Sequence, residues 1–379
     1  MTVYAAVYTG AGTLRIEDVP PATPGPGEVQ IEVAYTGICG TDLHIFHGDM
    51  DARVGDRAVL GHEMSGRIAV LGAQVRGWSV REQVTVMPVQ WCGQCPACRA
   101  GNRHVCARLR FLGIDAAGSM QSRWTVPADT LVRVPLEVPL PEAAMVEPVA
   151  VAVHDVRRAG LRPGERALVV GGGPVGLLIA AVAAGAGGDV LVVEPNPHRR
   201  RVAEGLGLAA VDPAGTEVQG VVQGWTSGAG VDVAFEVSGV QPGVDAAVEA
   251  LSARGRLVLV AIHTTRRPLD LHRIFWRELT LIGARLYDRG DFERAVELVA
   301  SRQIPLASLI SRVVPLHQAG EAFVALEAGD AVMKVLVDCQ EGPAKAGAGG
   351  AAGGEGAAGG EGAAGAEGAA GAEGEEGAG

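Results

Sequence analysis

Short apolar runs rich in valine and isoleucine, such as Val29–Val33 and Gln83–Val86, follow one another to about Val134, separated by glycine and proline turns. Runs of this length between turn residues predict a β-rich domain. From about Arg166 the period changes to alternating units: a strand Ala167–Val170, a helix Val175–Ala184, a strand Val190–Val193 and a helix over Arg199–Gly205. A strand Val231–Val237, a helix Val244–Leu251 and a strand Arg256–Ala261 continue the series. Strands and helices alternating at this spacing predict a doubly wound parallel sheet, an α/β architecture. Beyond about Tyr287, helices at Phe292–Ala300 and Ala319–Ala328 and a closing strand Lys334–Val337 are not of that type and are expected to return to the first domain. The expected division is 1–157 with 287–340, and 158–286.

With 379 residues, two folded units are the natural expectation. The net charge of -11 is uneven: residues 341–379 carry seven glutamates against Lys345, a net of -6, and leave -5 for the remainder. Nothing here invites nucleic acid. The 341–379 stretch is nearly all Gly, Ala and Glu, with glutamates six apart from Glu355 to Glu373, and is expected to be a disordered acidic tail. Ala167–Gly188 is uncharged and long enough to suggest a membrane span, but Gly171–Pro174 would break a spanning helix and suits a strand, turn and helix. The N-terminus lacks the basic and apolar regions of a signal peptide, so a cytoplasmic, reducing location is expected, where cysteines bind metal rather than form disulfides.

Cys92, Cys95, Cys98 and Cys106 form a C-x2-C-x2-C-x7-C cluster in WCGQCPACRAGNRHVC. Four thiolates on so short a loop can converge on one tetrahedral zinc, and a site with four protein ligands has no position open for chemistry. This zinc is expected to be structural. Gly171, Gly173, Pro174, Val175 and Gly176 lie in a G-x-G-x-x-G turn between a strand and a helix, and Glu194 ends the next strand. The turn allows close approach of a pyrophosphate at the helix N-terminus, and Glu194 would bond the adenosine ribose and repel a 2′-phosphate, favouring NAD over NADP. Arg199, Arg200 and Arg201 lie just beyond, either offsetting that repulsion or forming a solvated helix face.

A catalytic zinc needs fewer protein ligands, and Cys39 through His44 with Gly61-His62-Glu63 offer thiolate, imidazole and carboxylate. With the cysteine cluster and the nucleotide motif, these runs make the chain resemble the zinc-dependent medium-chain dehydrogenase/reductase superfamily, in particular its sorbitol, butanediol and threonine dehydrogenase branch. The resemblance covers about residues 1–340. It implies a GroES-like β-rich catalytic domain joined to a Rossmann NAD-binding domain, and two zinc ions per chain. Carried onto this chain, it makes Cys39 and His62 ligands of the catalytic zinc, and Glu63 a direct or exchanging ligand. Glu147 in Val146-Glu147-Pro148 is the third anchor, where liver-type alcohol dehydrogenases have cysteine. Thr41 and His44 match the family's proton relay from the substrate hydroxyl towards solvent. Ser238 and Arg285 fall in cofactor-lining segments, and Lys334 is expected to reach the pyrophosphate. Phe46, Met120 and Trp124 are candidates for shaping substrate choice. His47, His104, His154 and His263 have no such support and are read as structural, and Cys339 as a plain hydrophobe.

The activity implied is NAD-dependent oxidation of a secondary hydroxyl on a polyol, sugar acid or vicinal diol, in a homodimer or homotetramer. A threonine-type oxidation of a β-hydroxy amino acid shares the Glu147 pattern, and a substrate panel separates the two. A non-catalytic NAD-sensing or interaction protein is a third reading. The intact set Cys39, Thr41, His44, His62 and Glu147 argues against it, since such a protein has no chemical need of both ligands and relay.

Overall fold

The structure, a computed structural model, describes residues 3–10, 12–327 and 331–341. Apart from Glu341, the expected acidic tail lies outside the described residues, as does Ala328 at the end of the expected helix 319–328.

The valine-rich runs of the first third form a largely antiparallel sheet. Its order is Leu131–Arg133, Gln83–Val86, Glu63–Leu71, Glu28–Gly37, Lys334–Asp338, Ile310–Pro315, with Arg123–Pro127 also pairing to Glu28–Gly37. The long strand Glu28–Gly37 is its organiser, because it carries a neighbour on each edge and delivers the chain directly to Cys39. The closing strand Lys334–Asp338 lies against it in antiparallel register, Leu336 opposite Gly37. Residues almost 300 positions apart in sequence are thereby neighbours.

The second sheet is wholly parallel, in the order Ala209–Val211, Asp189–Val193, Arg166–Val170, Val231–Glu236, Leu251–Leu259, Thr280–Gly283. Its inner strands Arg166–Val170, Asp189–Val193 and Val231–Glu236 are largely buried, as strands covered by crossover helices must be. The order reverses between Arg166–Val170 and Val231–Glu236, so a crevice opens beyond their carboxyl ends. Several elements have no counterpart in the hydrophobic pattern: the helices Val218–Thr226 and Leu271–Trp276 and the edge strand Thr280–Gly283 are each only four to nine residues long. The helix Val146–Ala159, which joins the two sheets and packs against Pro174–Gly185 and Arg289–Ala300, is buried along most of its length, with the polar Glu147, His154 and Asp155 buried among its apolar residues. No helix among the described residues is long and apolar enough to cross a membrane.

Candidate active site and metal centres

The strand Glu28–Gly37 ends beside the first metal-ligand candidate. Cys39 caps the short helix Gly40–Phe46 in extended conformation, and its amide donates to the Asp42 carboxylate at 2.9 Å. His62 and Glu63 arrive from the neighbouring strand Glu63–Leu71. Gly37 makes room for them, because a Cβ there would collide with the Glu63 carboxylate. The ligand atoms of Cys39, His62 and Glu63 lie within 4.8 Å of one another. Glu147, in the first turn of Val146–Ala159, stands beside this trio and accepts a 2.7 Å hydrogen bond from the Tyr287 hydroxyl.

Charge and burial explain what this pocket can hold. Asp42, His62, Glu63, Glu147 and Lys334 are all nearly sealed from solvent. Burial pushes the Glu147 carboxyl up to about 7; His62 opposes the rise and the Glu63 charge adds to it. Burial also raises Asp42, against the pull of His62 and the Cys39 amide. His62 Nδ1 and Asp42 Oδ1 face each other at 3.6 Å, and neither has a hydrogen-bond partner. Three buried carboxylates, a thiol and an imidazole against a single ammonium form a pocket with a deficit of positive charge, which a divalent cation would fill. Cys39, His62 and Glu63 fit zinc as ligands, and Asp42 fits as the carboxylate behind the imidazole that orients it.

The structure corrects two expectations. Lys334 does not face the pyrophosphate. Because it opens a strand paired to Glu28–Gly37, its ammonium is buried beneath the ligand trio, with Nζ 2.8 and 2.6 Å from the two Glu63 oxygens and 3.0 Å from the Ile38 carbonyl. Burial alone would lower its pKa, but the charges of Glu63 and Cys39 raise it. Phe46, Met120 and Trp124 are core side chains rather than pocket walls: Phe46 packs on Phe323, Met120 is fully enclosed, and Trp124 donates its indole N–H to the Ala117 carbonyl. Asp42 and Tyr287 escaped the sequence reading. Asp42 had a local signal, three residues after a helix cap, whereas Tyr287 meets Glu147 across 140 positions with no local signal.

Thr41 and His44 lie three apart on Gly40–Phe46, hence on one face. His44 Nδ1 is 3.0 Å from Asp49 Oδ2, and the pair is partly open to solvent.

The four cysteines of the second cluster are all free, with neighbouring sulfurs 3.5, 3.9 and 4.0 Å apart. A tetrahedron with Zn–S bonds of about 2.3 Å has edges of about 3.8 Å, so this spacing fits zinc and is too long for a disulfide. Backbone N–H groups of Gln94 and Cys95 point at Cys92 and pull its thiol down to about 5, while burial pushes Cys98 up to about 12. One thiol is prepared to ionise and another resists without a cation.

The glycine turn lies at the reversal of the parallel sheet. Gly171 has φ +108°, and a Cβ there would press on the Ser238 backbone; one at Gly176 would strike the Gly171 carbonyl. Pro174 and Val175 open the helix Pro174–Gly185, capped by Gly173. Glu194 is buried and accepts from the Gly172 amide at 2.7 Å and the Asn196 amide at 2.8 Å, with Arg199 Nη1 at 3.9 Å. Ser238 donates to Glu236 at 2.6 Å, and His263 Nε2 lies 2.9 Å from the other Glu236 oxygen. Arg285 is exposed, past the end of the edge strand.

Comparison with known proteins agrees with this architecture. Residues 25–136 match the alcohol dehydrogenase GroES-like domain, and residues 174–301 the zinc-binding dehydrogenase domain. A 2-dehydro-3-deoxy-L-galactonate 5-dehydrogenase of Pseudoalteromonas atlantica is 48% identical over 89% of this chain and 99% of its own. A sorbitol dehydrogenase of Halalkalibacterium halodurans is 30% identical over 86% of this chain and 96% of its own. The crystal structure of 2R,3R-butanediol dehydrogenase from Bacillus subtilis superposes with a TM-score of 0.82 at 30% identity, covering 89% of this chain and 99% of that one. The chain belongs to the zinc-dependent medium-chain dehydrogenase/reductase family, an oxidoreductase with a GroES-like domain and a Rossmann domain that works with zinc and a nicotinamide cofactor.

Proposed function

We propose that the protein oxidises a secondary hydroxyl of a sugar acid, or of a related polyol or vicinal diol, to a ketone, with NAD as hydride acceptor. The observation that carries this is the buried carboxylate Glu147, held by Tyr287 beside Cys39, His62 and Glu63, in a chain 48% identical to a sugar-acid dehydrogenase. When bound, zinc would polarise the substrate hydroxyl and the nicotinamide would take the hydride. Cys39, His62 and Glu63, with Glu147 nearby, are the residues that would hold the metal, and Cys92, Cys95, Cys98 and Cys106 would hold the structural ion. Thr41 accepts the hydroxyl proton and His44, steadied by Asp49, carries it to solvent. Lys334 holds both carboxylate oxygens of Glu63, which would serve the metal as a direct or an exchanging ligand. Gly171, Gly173, Pro174, Val175 and Gly176 receive the pyrophosphate. Glu194 would face the adenosine ribose with Arg199 at its side, and Ser238 and Arg285 would lie in the segments that line the cofactor.

Residues 1–157 with 287–340 are assigned to the catalytic domain, and 158–286 to the cofactor domain. Leu271, Phe275, Trp276 and Leu281 are exposed on and beside the edge strand Thr280–Gly283, which supports a homodimer, or a tetramer built from it, joined there. Six free thiols fit a reducing compartment such as the cytoplasm. A panel of sugar acids, polyols and threonine offered with NAD, followed by the absorbance of the reduced cofactor, tests the substrate class. Turnover of sugar acids or polyols is expected. Turnover of threonine alone would transfer the site to β-hydroxy amino acids.

A further inference from the structure

A polar cluster, its histidines and Asp291 buried, lies outside both metal-ligand sets, though His104 comes from the four-cysteine lobe. His104, in the four-cysteine lobe, points Nδ1 at Asp288 Oδ1, 2.8 Å away. His154 points Nδ1 at Asp291 Oδ2, also 2.8 Å, and the two imidazoles meet edge to face with centroids 4.8 Å apart. Two histidines and two carboxylates at such distances invite a third metal, but the place is taken. Arg157 puts Nη2 2.9 Å from Asp288 Oδ2, 2.8 Å from Asp291 Oδ2 and 3.2 Å from His154 Nδ1, with Nε 2.6 Å from Asp291 Oδ1. A guanidinium already supplies the positive charge, and a cation beside it would be repelled.

The elements that meet here suggest a different role. Asp288 caps the helix Arg289–Ala300, its amide donating 2.9 Å to Asp291. It directly follows Tyr287, the donor to Glu147. Glu147, His154 and Arg157 are all on the one helix Val146–Ala159. The segment bearing Tyr287 is therefore clamped to the helix bearing Glu147, and the third contact on the clamp comes from His104, between Cys98 and Cys106. We infer that His104 is a positioning residue: through Asp288 it makes the four-cysteine lobe a support for the Tyr287–Glu147 hydrogen bond at the active site. The inference rests on the reading of Glu147 as part of the active site.

The chain has only four tyrosines, so 3-fluorotyrosine labelling gives four fluorine resonances, and the one missing from Tyr287→Phe is Tyr287. This readout needs no substrate, so it stands apart from the proposed activity. His104→Ala is expected to shift the Tyr287 resonance, to lower kcat about tenfold, as loss of outer-shell support does, and to leave KM for NAD within about twofold. His104→Asn, which returns an N–H donor near the Nδ1 position, is expected to restore the resonance and most of kcat. Should His104→Ala fail to fold, Asp288→Asn, which keeps a capping side chain, is expected to give the same shift. A Tyr287 resonance unmoved in His104→Ala, or in Asp288→Asn if that variant must serve, overturns the inference, even if the four-cysteine zinc or thermal stability is lost.

Discussion

Lys334 Nζ lies within 2.8 Å of both Glu63 carboxylate oxygens, with both side chains sealed from solvent. Removing one partner of a buried pair leaves the other charge desolvated, typically at a cost of about 3–5 kcal/mol. Lys334→Met is expected to lose stability on that scale in urea unfolding. Adding Glu63→Gln to it should recover much of the loss, because the stranded charge is gone. Additive losses would show that the two residues act independently.

Asp155 makes the opposite prediction. Both its carboxylate oxygens are buried without a partner, and burial together with the charge of Asp291 raises its pKa well above the ordinary value. Below about pH 4 the carboxyl is protonated in both folded and unfolded chains and has no effect on the slope. Above that the unfolded chain releases the proton while the folded one retains it, so stability falls with rising pH towards the folded pKa. Asp155→Asn abolishes this loss. Relative to the parent, the variant should gain stability between pH 5 and pH 7.5 in urea titrations; a pH-independent difference would contradict it.

On the proposed reading, cofactor choice depends on Glu194. Its carboxylate is held by two backbone amides, and Arg199 is 3.9 Å away. Glu194→Ala removes the acceptor for the ribose hydroxyls and the repulsion of a 2′-phosphate, and leaves Arg199 free to bind one. The kcat/KM ratio of NADP to NAD should rise at least tenfold, given about 1.5–3 kcal/mol for hydrogen bonds to a charged group. An unchanged ratio would place the ribose elsewhere.

Residues whose chemistry is local were legible along the chain. The cysteine spacing folds into sulfurs 3.5–4.0 Å apart, and the glycine turn sits where the parallel sheet reverses, because turn and ligand geometry are set within a few residues. Partners brought together by topology were not legible. Lys334 reaches Glu63 only because the last strand returns to pair with Glu28–Gly37, and Tyr287 reaches Glu147 across 140 positions. The histidines at 104 and 154, unremarkable in sequence, meet through the same kind of long-range closure. Trp124 and Met120 misled for a related reason: large apolar side chains near a metal motif look like pocket walls until the fold encloses them.

Zinc content per chain, measured in the parent and in Cys39→Ala, decides whether Cys39 belongs to a second metal centre. Two zinc ions are expected in the parent and one in the variant, with dehydrogenase activity lost and the four-cysteine zinc retained. One zinc in both proteins would contradict this, leaving the cluster Cys92, Cys95, Cys98 and Cys106 as the sole metal site and Cys39 outside any catalytic centre.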